Sequence, residues 1–301
     1  MRHHLRVPER LIARVTPAFL AFVLMACAGT TPASEPGSRE PAGSASPSEA
    51  APEFVVFALG DSIPFNLEDD CPGCTGFVDS YGAYLEEQVR EPVAVINRSR
   101  HDGATTNDII EQFETDQTFL DELSTADVVL MSVGFNDQPP YAEAHDGCPE
   151  PVGDTSPLST VVERAAATSG ECIDLVVDLT ANRIHGVFAA IRELAPDAAI
   201  AALTAYDSWI GWPELDSADR RTRDRLYAAE RYWFHQWREV MCAEAEAVDA
   251  ACIDVYSAFN GADGSEPPVD FVGADYTHPN QEGNDVIRDL LIEADLPIPT
   301  D

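Results

Sequence analysis

The sequence predicts an α/β fold: a three-layer α/β/α sandwich on an open, five-stranded, parallel, doubly wound sheet of the flavodoxin-like kind. Three observations predict it. Five short and almost unbroken apolar runs recur along the chain. The stretches between them carry helical periodicity. The glycine-rich and polar motifs fall directly after the runs, where open parallel sheets bind their ligands. Unbroken runs suit strands covered on both faces, which are parallel strands packed between helices.

Taken in order, "FVVFALG" at 54–60 is the first strand, and it runs straight into "GDS" at 60–62. A helical pattern over 76–89 leads to the second strand, "PVAVINRS" at 92–99, which is followed by "RHDGATTND". The next helix spans 105–123. The third strand, "DVVLMSVG" at 127–134, ends in "GFND". Residues 135–174 are too many for a plain connector and should shape the rim of a pocket. A helix over 174–195 precedes the fourth strand, "AAIAALTAY" at 198–206. Trp209, Ile210 and Trp212 leave that strand at its functional end, which makes them candidates to line an acyl pocket, since such pockets are mostly apolar. The helix at 219–248 carries Leu226, Tyr227, Trp233, Phe234, Trp237 and Met241 at helical spacing, the signature of a core face. The fifth run is "ACIDVYSAF" at 251–259, and after "DYTHPN" a last helix covers 280–294.

Ahead of this domain lie two segments of different character. Arg2, Arg6, Arg10 and Arg14 precede the apolar stretch "VTPAFLAFVLMA", which is too short and one-sided for a bilayer span and reads as an export signal. It ends "LMAC", which resembles the lipobox of bacterial lipoproteins. On that reading residues 1–26 are a lipoprotein signal peptide and Cys27 is lipidated. The other reading is a plain secretory signal cut after "TPAS". Residues 27–52 are Ala, Ser, Pro, Gly and Glu with little to bury, a flexible tether. The globular domain is expected over 53–301, outside the cytoplasm, lipid-anchored at a bacterial cell surface or secreted.

The 301 residues hold 53 acidic side chains against 18 cationic ones, all arginine, for a net charge of −35. Such a field repels nucleic acid and anionic lipid headgroups, so neither is an expected partner, and membrane contact is expected only through the anchor. A monomer is expected. Besides Cys27 there are six cysteines, an even number that reads as disulfides in an exported chain. Pairing each with its sequence neighbour gives Cys71–Cys74, Cys148–Cys172 and Cys242–Cys252, with other connectivities open. A zinc site at "CPGC" lacks the second close cysteine pair of a zinc ribbon. A redox role for the lone pair usually requires a helix start after a strand, whereas this one sits in a Pro-Gly loop.

Ester hydrolysis by a serine needs a hydroxyl, a base, a group to orient the base and donors for the oxyanion. Ser62 follows the first strand directly, and the absence of G-x-S-x-G around it disfavours the ordinary α/β-hydrolase elbow. His278 has Asp275 three residues before it, near enough to reach the imidazole within one turn, and Pro279 extends the backbone ahead of a helix whose dipole favours a neutral ring. Gly103 brings a bare backbone N–H to the site, and Asn136 brings a side-chain amide. Singly, each has an ordinary explanation as a cap, a turn or a surface residue. Of the other domain histidines, His101, His145, His185 and His235 lack an acid at the Asp-x-x-His spacing, although His101 adjoins Asp102.

Taken together, "GDS" at 60–62, Gly103, "GFND" at 134–137 and "DYTHP" at 275–279 resemble the four blocks of the SGNH, or GDSL, hydrolases. The likeness spans residues 54 to about 295, and Ile63 departs from the family's leucine at a non-catalytic position. The resemblance implies a five-stranded α/β/α sandwich, with Ser62 as nucleophile, His278 as base and Asp275 orienting it. It implies an oxyanion hole made of the Ser62 and Gly103 N–H groups and the Asn136 amide. In some members a backbone carbonyl assists or replaces the aspartate. The disulfide-bearing, exported form is similar to secreted actinobacterial esterases and lipases. The expected function is a serine carboxylic-ester hydrolase using no metal or cofactor, acting on a small-molecule or glycan acyl ester. A polysaccharide O-deacetylase, an O-acyltransferase and a catalytically silent surface binding protein are the alternatives.

Overall fold

A computed structural model describes residues 54–298, apart from 102, 142, 154 and 155. The signal peptide 1–26, the tether 27–52 with Cys27, Glu53 and Asp102 therefore lie outside the described residues.

The chain alternates strand and helix: β1 (Phe54–Gly60), α1 (Ser62–Phe65), α2 (Phe77–Val89), β2 (Val93–Asn97), α3 (Thr106–Thr115), α4 (Gln117–Leu123) and β3 (Val128–Ser132). It continues with α5 (Leu158–Ala165), α6 (Gly170–Leu194), β4 (Ala199–Leu203), α7 (Arg220–Ala247), β5 (Ala251–Ile253), α8 (Val255–Asn260) and α9 (Gln281–Glu293). The strands form one five-stranded sheet in the order β2-β1-β3-β4-β5, every neighbour parallel. This is the doubly wound order in which chain direction reverses beside β1, leaving a crevice at the carboxyl ends of β1 and β3.

Side chains alternate across the sheet and so divide the core in two. Phe57, Leu59, Val129, Met131, Ile200 and Ala202 face a layer built from α3, α4, α6 and α7. Val56, Ala58, Val128, Leu130, Ala201 and Leu203 face α2, α8 and α9. The aromatic stripe of α7 belongs to the first core, where Trp233, Phe234, Trp237 and Met241 are buried. At about 1.5–3 kcal/mol per buried large side chain, that face alone anchors the helix to the sheet.

The predicted alternation holds, with local differences. The run 251–259 is strand only to Ile253. Asp254 then accepts from the Ser257 N–H and hydroxyl and caps α8, because a capped helix satisfies the amides of a segment that has only one strand neighbour. The helix expected over 105–123 breaks at Asp116, whose side chain caps α4 through the Phe119 N–H. Helix α6 starts at Gly170, four residues earlier than predicted, because Ser169 caps it through Cys172. The long 135–174 segment contains α5. Strand β2 is half-buried at the sheet edge, whereas β1, β3 and β4 are buried throughout.

The cysteines are bonded as Cys71–Cys74, Cys148–Cys172 and Cys242–Cys252. The first closes the "CPGC" loop, the second ties the 135–174 segment to the first turn of α6, and the third joins α7 to β5. Disulfides of this kind fit an oxidising, extracellular environment. Among the described residues no helix is long and apolar enough to cross a membrane.

Candidate active site

The carboxyl ends of β1 and β3 are brought flush by register, Gly60 standing opposite Ser132. Only glycine fits there. A Cβ on Gly60, at φ +148°, would lie 1.8 Å from the Ser132 carbonyl oxygen. The chain turns at once into α1: Asp61 donates its N–H to Ser132 O and caps the helix by accepting from the Ile63 N–H. Ser62 is thereby fixed as the first residue of a short helix, where amide groups lack intrahelical partners. Asp61 is fully buried beside it, and burial pushes its carboxyl up to about 7.

His278 sits in a turn that the sequence specifies closely. The Gly273 N–H donates to His278 O at 2.7 Å, and Val272 bridges to Pro279. Asn280 donates its side-chain amide to Asp270 O and Val272 O, while its oxygen caps α9 through Gly283. Asp275 divides its two oxygens. Oδ1 accepts the Thr277 and His278 backbone N–H groups, and Oδ2 lies 2.5 Å from His278 Nδ1. Tyr276 adopts φ +58° to make this turn, an uncommon conformation for a bulky residue. The buried Tyr206 hydroxyl secures it by donating to Thr277 O at 2.6 Å.

Burial works against a charged His278 ring, but the Asp275 hydrogen bond and the charges of Asp275, Asp70 and Asp61 outweigh it and raise its pKa. Burial likewise raises Asp275, yet the hydrogen bonds from His278 and Thr277 win and hold it below the ordinary carboxylate value. Both shifts come from the same Nδ1–Oδ2 hydrogen bond, so Asp275 stabilises a second proton on the ring once it arrives. His278 also feels the charge of Asp61, the neighbour of Ser62. The helix-dipole argument carries less weight than expected, since α9 begins at Gln281 behind an Asn280 cap.

The loops after β2 and β3 are tied to each other. Asp137 is buried and accepts the Thr106 N–H at 3.1 Å and the Thr106 hydroxyl at 2.6 Å. Burial raises its pKa to about 6 despite these bonds. Asn136 donates its amide to Ala104 O at 3.0 Å, which leaves its second amide hydrogen for another acceptor. Gly103 takes φ +73°, and a Cβ there would meet nothing. Its N–H is turned onto His101 O at 3.0 Å. Behind Asn136, Gly134 at φ +117° lets Trp237 approach and donate its indole N–H to Val133 O.

The candidate pocket residues Trp209, Ile210 and Trp212 follow β4. Trp209 and Ile210 are buried, and Trp209 packs with Val161, Val162, Leu215 and Leu226 in a satellite core under α5 and α7, with Trp212 against it. The cause is Asp207, whose buried carboxylate accepts the Trp209 N–H and folds the loop inward. Phe65, at the end of α1, is exposed, and the His101 ring lies 5.7 Å from it. Sequence reading also missed Asp70, which reaches His101 Nε2 at 3.1 Å and His278 Nδ1 at 3.4 Å. Its only sequence signal is its place immediately before "CPGC".

A doubly wound α/β/α sandwich with an acid–histidine pair and glycine-bearing turns gathered at its strand ends has the architecture of an open-sheet hydrolase. The chain belongs to the GDSL-like lipase/acylhydrolase family, whose model matches residues 58–286. It is similar in structure to the lipase Lip_vut3 from a goat rumen metagenome, with 17% identity and a TM-score of 0.55 over 80% of this chain and 97% of that one. An extracellular lipase from Streptomyces rimosus gives 18% identity and 0.53 over 80% and 99%. A mutant of Axe2, an acetyl-xylooligosaccharide esterase from Geobacillus stearmophilus, gives 18% and 0.50 over 82% and 96%. At these identities the likeness is one of fold. No curated protein sequence matches the chain.

Proposed function

We propose that the protein hydrolyses carboxylic esters through an acyl-enzyme on Ser62. The observation that carries this reading is the Asp275–His278 contact at 2.5 Å, set in a turn that fixes the ring at the strand ends of a GDSL-family sheet. His278 takes the Ser62 proton as Oγ attacks the acyl carbon. Asp275 steadies the imidazolium, and His278 returns the proton to the leaving alcohol. Water then repeats the sequence on the acyl-enzyme and frees the acid. The oxyanion is received by the Ser62 N–H, the second amide hydrogen of Asn136 and the Gly103 N–H. Gly103 exchanges the neutral His101 carbonyl for a charged and stronger acceptor.

The substrate class we propose is a modest, soluble acyl ester. The segment after Asn136 is stapled by Cys148–Cys172 and held at Glu143 by Asn107 and by Arg183 at 3.2 Å. Such a rim suits a preformed, shallow site more than a large moving lid. The same reading puts the domain on a tether acylated at Cys27, which mass analysis of the mature N-terminus would test.

Hydrolysis of p-nitrophenyl acetate, butyrate, octanoate and palmitate by the protein and its Ser62→Ala variant is the direct test. Loss of turnover in the variant, with short chains preferred by the wild type, is expected. Turnover that survives the substitution would refute the acyl-enzyme, and preference for palmitate would refute the substrate class. Product analysis with an added polyol separates hydrolysis from acyl transfer.

A further inference from the structure

Three metal-ligating atoms meet beside the proposed base. His101 Nε2 stands 3.1 Å from Asp70 Oδ2. His278 Nδ1 stands 3.4 Å from the same oxygen, and all three atoms lie within 4.8 Å of one another. Tetrahedral zinc, with bonds of about 2.0–2.2 Å, spaces its donors about 3.3–3.5 Å apart. Two edges are thus near that spacing already. The third closes by a small swing of His101, whose side chain is 39% exposed. That exposure also gives an ion its path in.

The three groups come from separate parts of the chain. Asp70 immediately precedes the "CPGC" loop, its N–H donating to Leu67 O. His101 comes from the loop after β2, and His278 from the turn before α9. The two imidazole rings stack with centroids 5.9 Å apart, so both present an edge nitrogen to one carboxylate. Two imidazoles and a carboxylate suit zinc and disfavour magnesium or calcium, which prefer oxygen donors. A water would complete four-coordination.

We propose that Asp70, His101 and His278 form a zinc site, and that zinc bound there switches off ester hydrolysis by claiming the ring nitrogen His278 otherwise gives to Asp275. A neutral imidazole coordinated through Nδ1 carries its one proton on Nε2. That nitrogen then has no lone pair with which to take the Ser62 proton. A ring that starts as imidazolium releases one proton to solvent on binding. The inhibitory half rests on His278 being the base, whereas metal binding does not.

The test uses the full chain carrying Ser62→Ala, titrated with zinc against a chromophoric chelator in millimolar Mg2+ to saturate weak surface carboxylates. One equivalent should bind. His101→Ala, its bulkier counterpart His101→Gln, and Asp70→Asn should each weaken binding at least about tenfold, no less than the loss of an outer-sphere partner. In the active protein, zinc should inhibit, a chelator should restore activity, and Mg2+ should do neither. Half-inhibition of the His101 variants should need at least about tenfold more zinc, each normalised to its own metal-free rate. Failure of the Ser62→Ala chain to bind zinc overturns the site whether or not esters are cleaved. Equal inhibition in the His101 variants also overturns it, and binding without inhibition overturns the switch. Zinc binding intact in a protein that cleaves no ester supports the site and refutes only the esterase reading.

Discussion

Asp275 spends one carboxylate oxygen on its own turn and the other on His278 Nδ1, so removing it does two things at once. The ring loses its partner, and the Thr277 and His278 amides lose their acceptor. Asp70 Oδ2 nevertheless stands 3.4 Å from the same nitrogen and offers a second carboxylate. Asp275→Ala is therefore expected to lower kcat by about 10²-fold, the low end of what a positioned base supplies. Steady-state rates on a short ester check this. A fall as deep as that of Ser62→Ala would show that Asp70 does not stand in. As candidates, Ser62, Gly103 and Asn136 were legible because they fall in the turns after β1, β2 and β3, and Asp275 and His278 because of their Asp-x-x-His spacing before α9. Asp70 and His101 were not. Their meeting joins the turn before Cys71 to the loop after β2, which no local spacing encodes.

Among the elements, β3 and α7 depend on each other at one point. The Trp237 indole occupies the space a side chain at Gly134 would need, and it donates to Val133 O. A Cβ at Gly134 would fall 1.9 Å from the Trp237 nitrogen, at a φ of +117° that alanine resists. Gly134→Ala is expected to destabilise the fold by about 1–3 kcal/mol. Because Asn136 follows two residues later, kcat should also drop with KM little changed, which thermal melts and kinetics on the same sample would show. An unaltered kcat would separate this packing from the placement of Asn136. The elements that sequence periodicity found are those with long apolar faces, such as β1, β3, β4 and α7. Where it erred, side-chain caps decided: Asp116 splits α3 from α4, and Asp254 turns the expected end of the fifth strand into α8. An aspartate between apolar residues looks the same in either setting until its partner amide is known. Trp209 likewise looks the same from sequence whether its indole faces a pocket or the core, until its burial and the Asp207 contact are known.

Across the whole molecule, burial raises Asp61 to about 7, Asp137 to about 6, Asp207 to about 7 and Glu230 well above its ordinary value. Each folded-state pKa exceeds the unfolded one. Between about pH 4 and 7 the unfolded chain therefore gives up these protons first, and stability falls as pH rises. His278, also raised, adds to that trend, while Asp275, lowered, opposes it only in more acid solution. Relief of the −35 net charge acts in the same sense. The melting temperature is expected to be higher near about pH 5 than near about pH 8. Asp207→Asn should narrow the gap, because asparagine keeps the acceptor for the Trp209 N–H and removes the buried acid. A melting temperature that climbs steadily with pH would contradict this. The sheet order has one further consequence. The strand that leads into Ser62, β1, lies between β2 and β3 and comes early in the chain, while the turn that carries His278 comes just before α9. A ribosome thus delivers the proposed nucleophile long before the proposed base, and a chain interrupted or clipped ahead of that turn would carry Ser62 without His278.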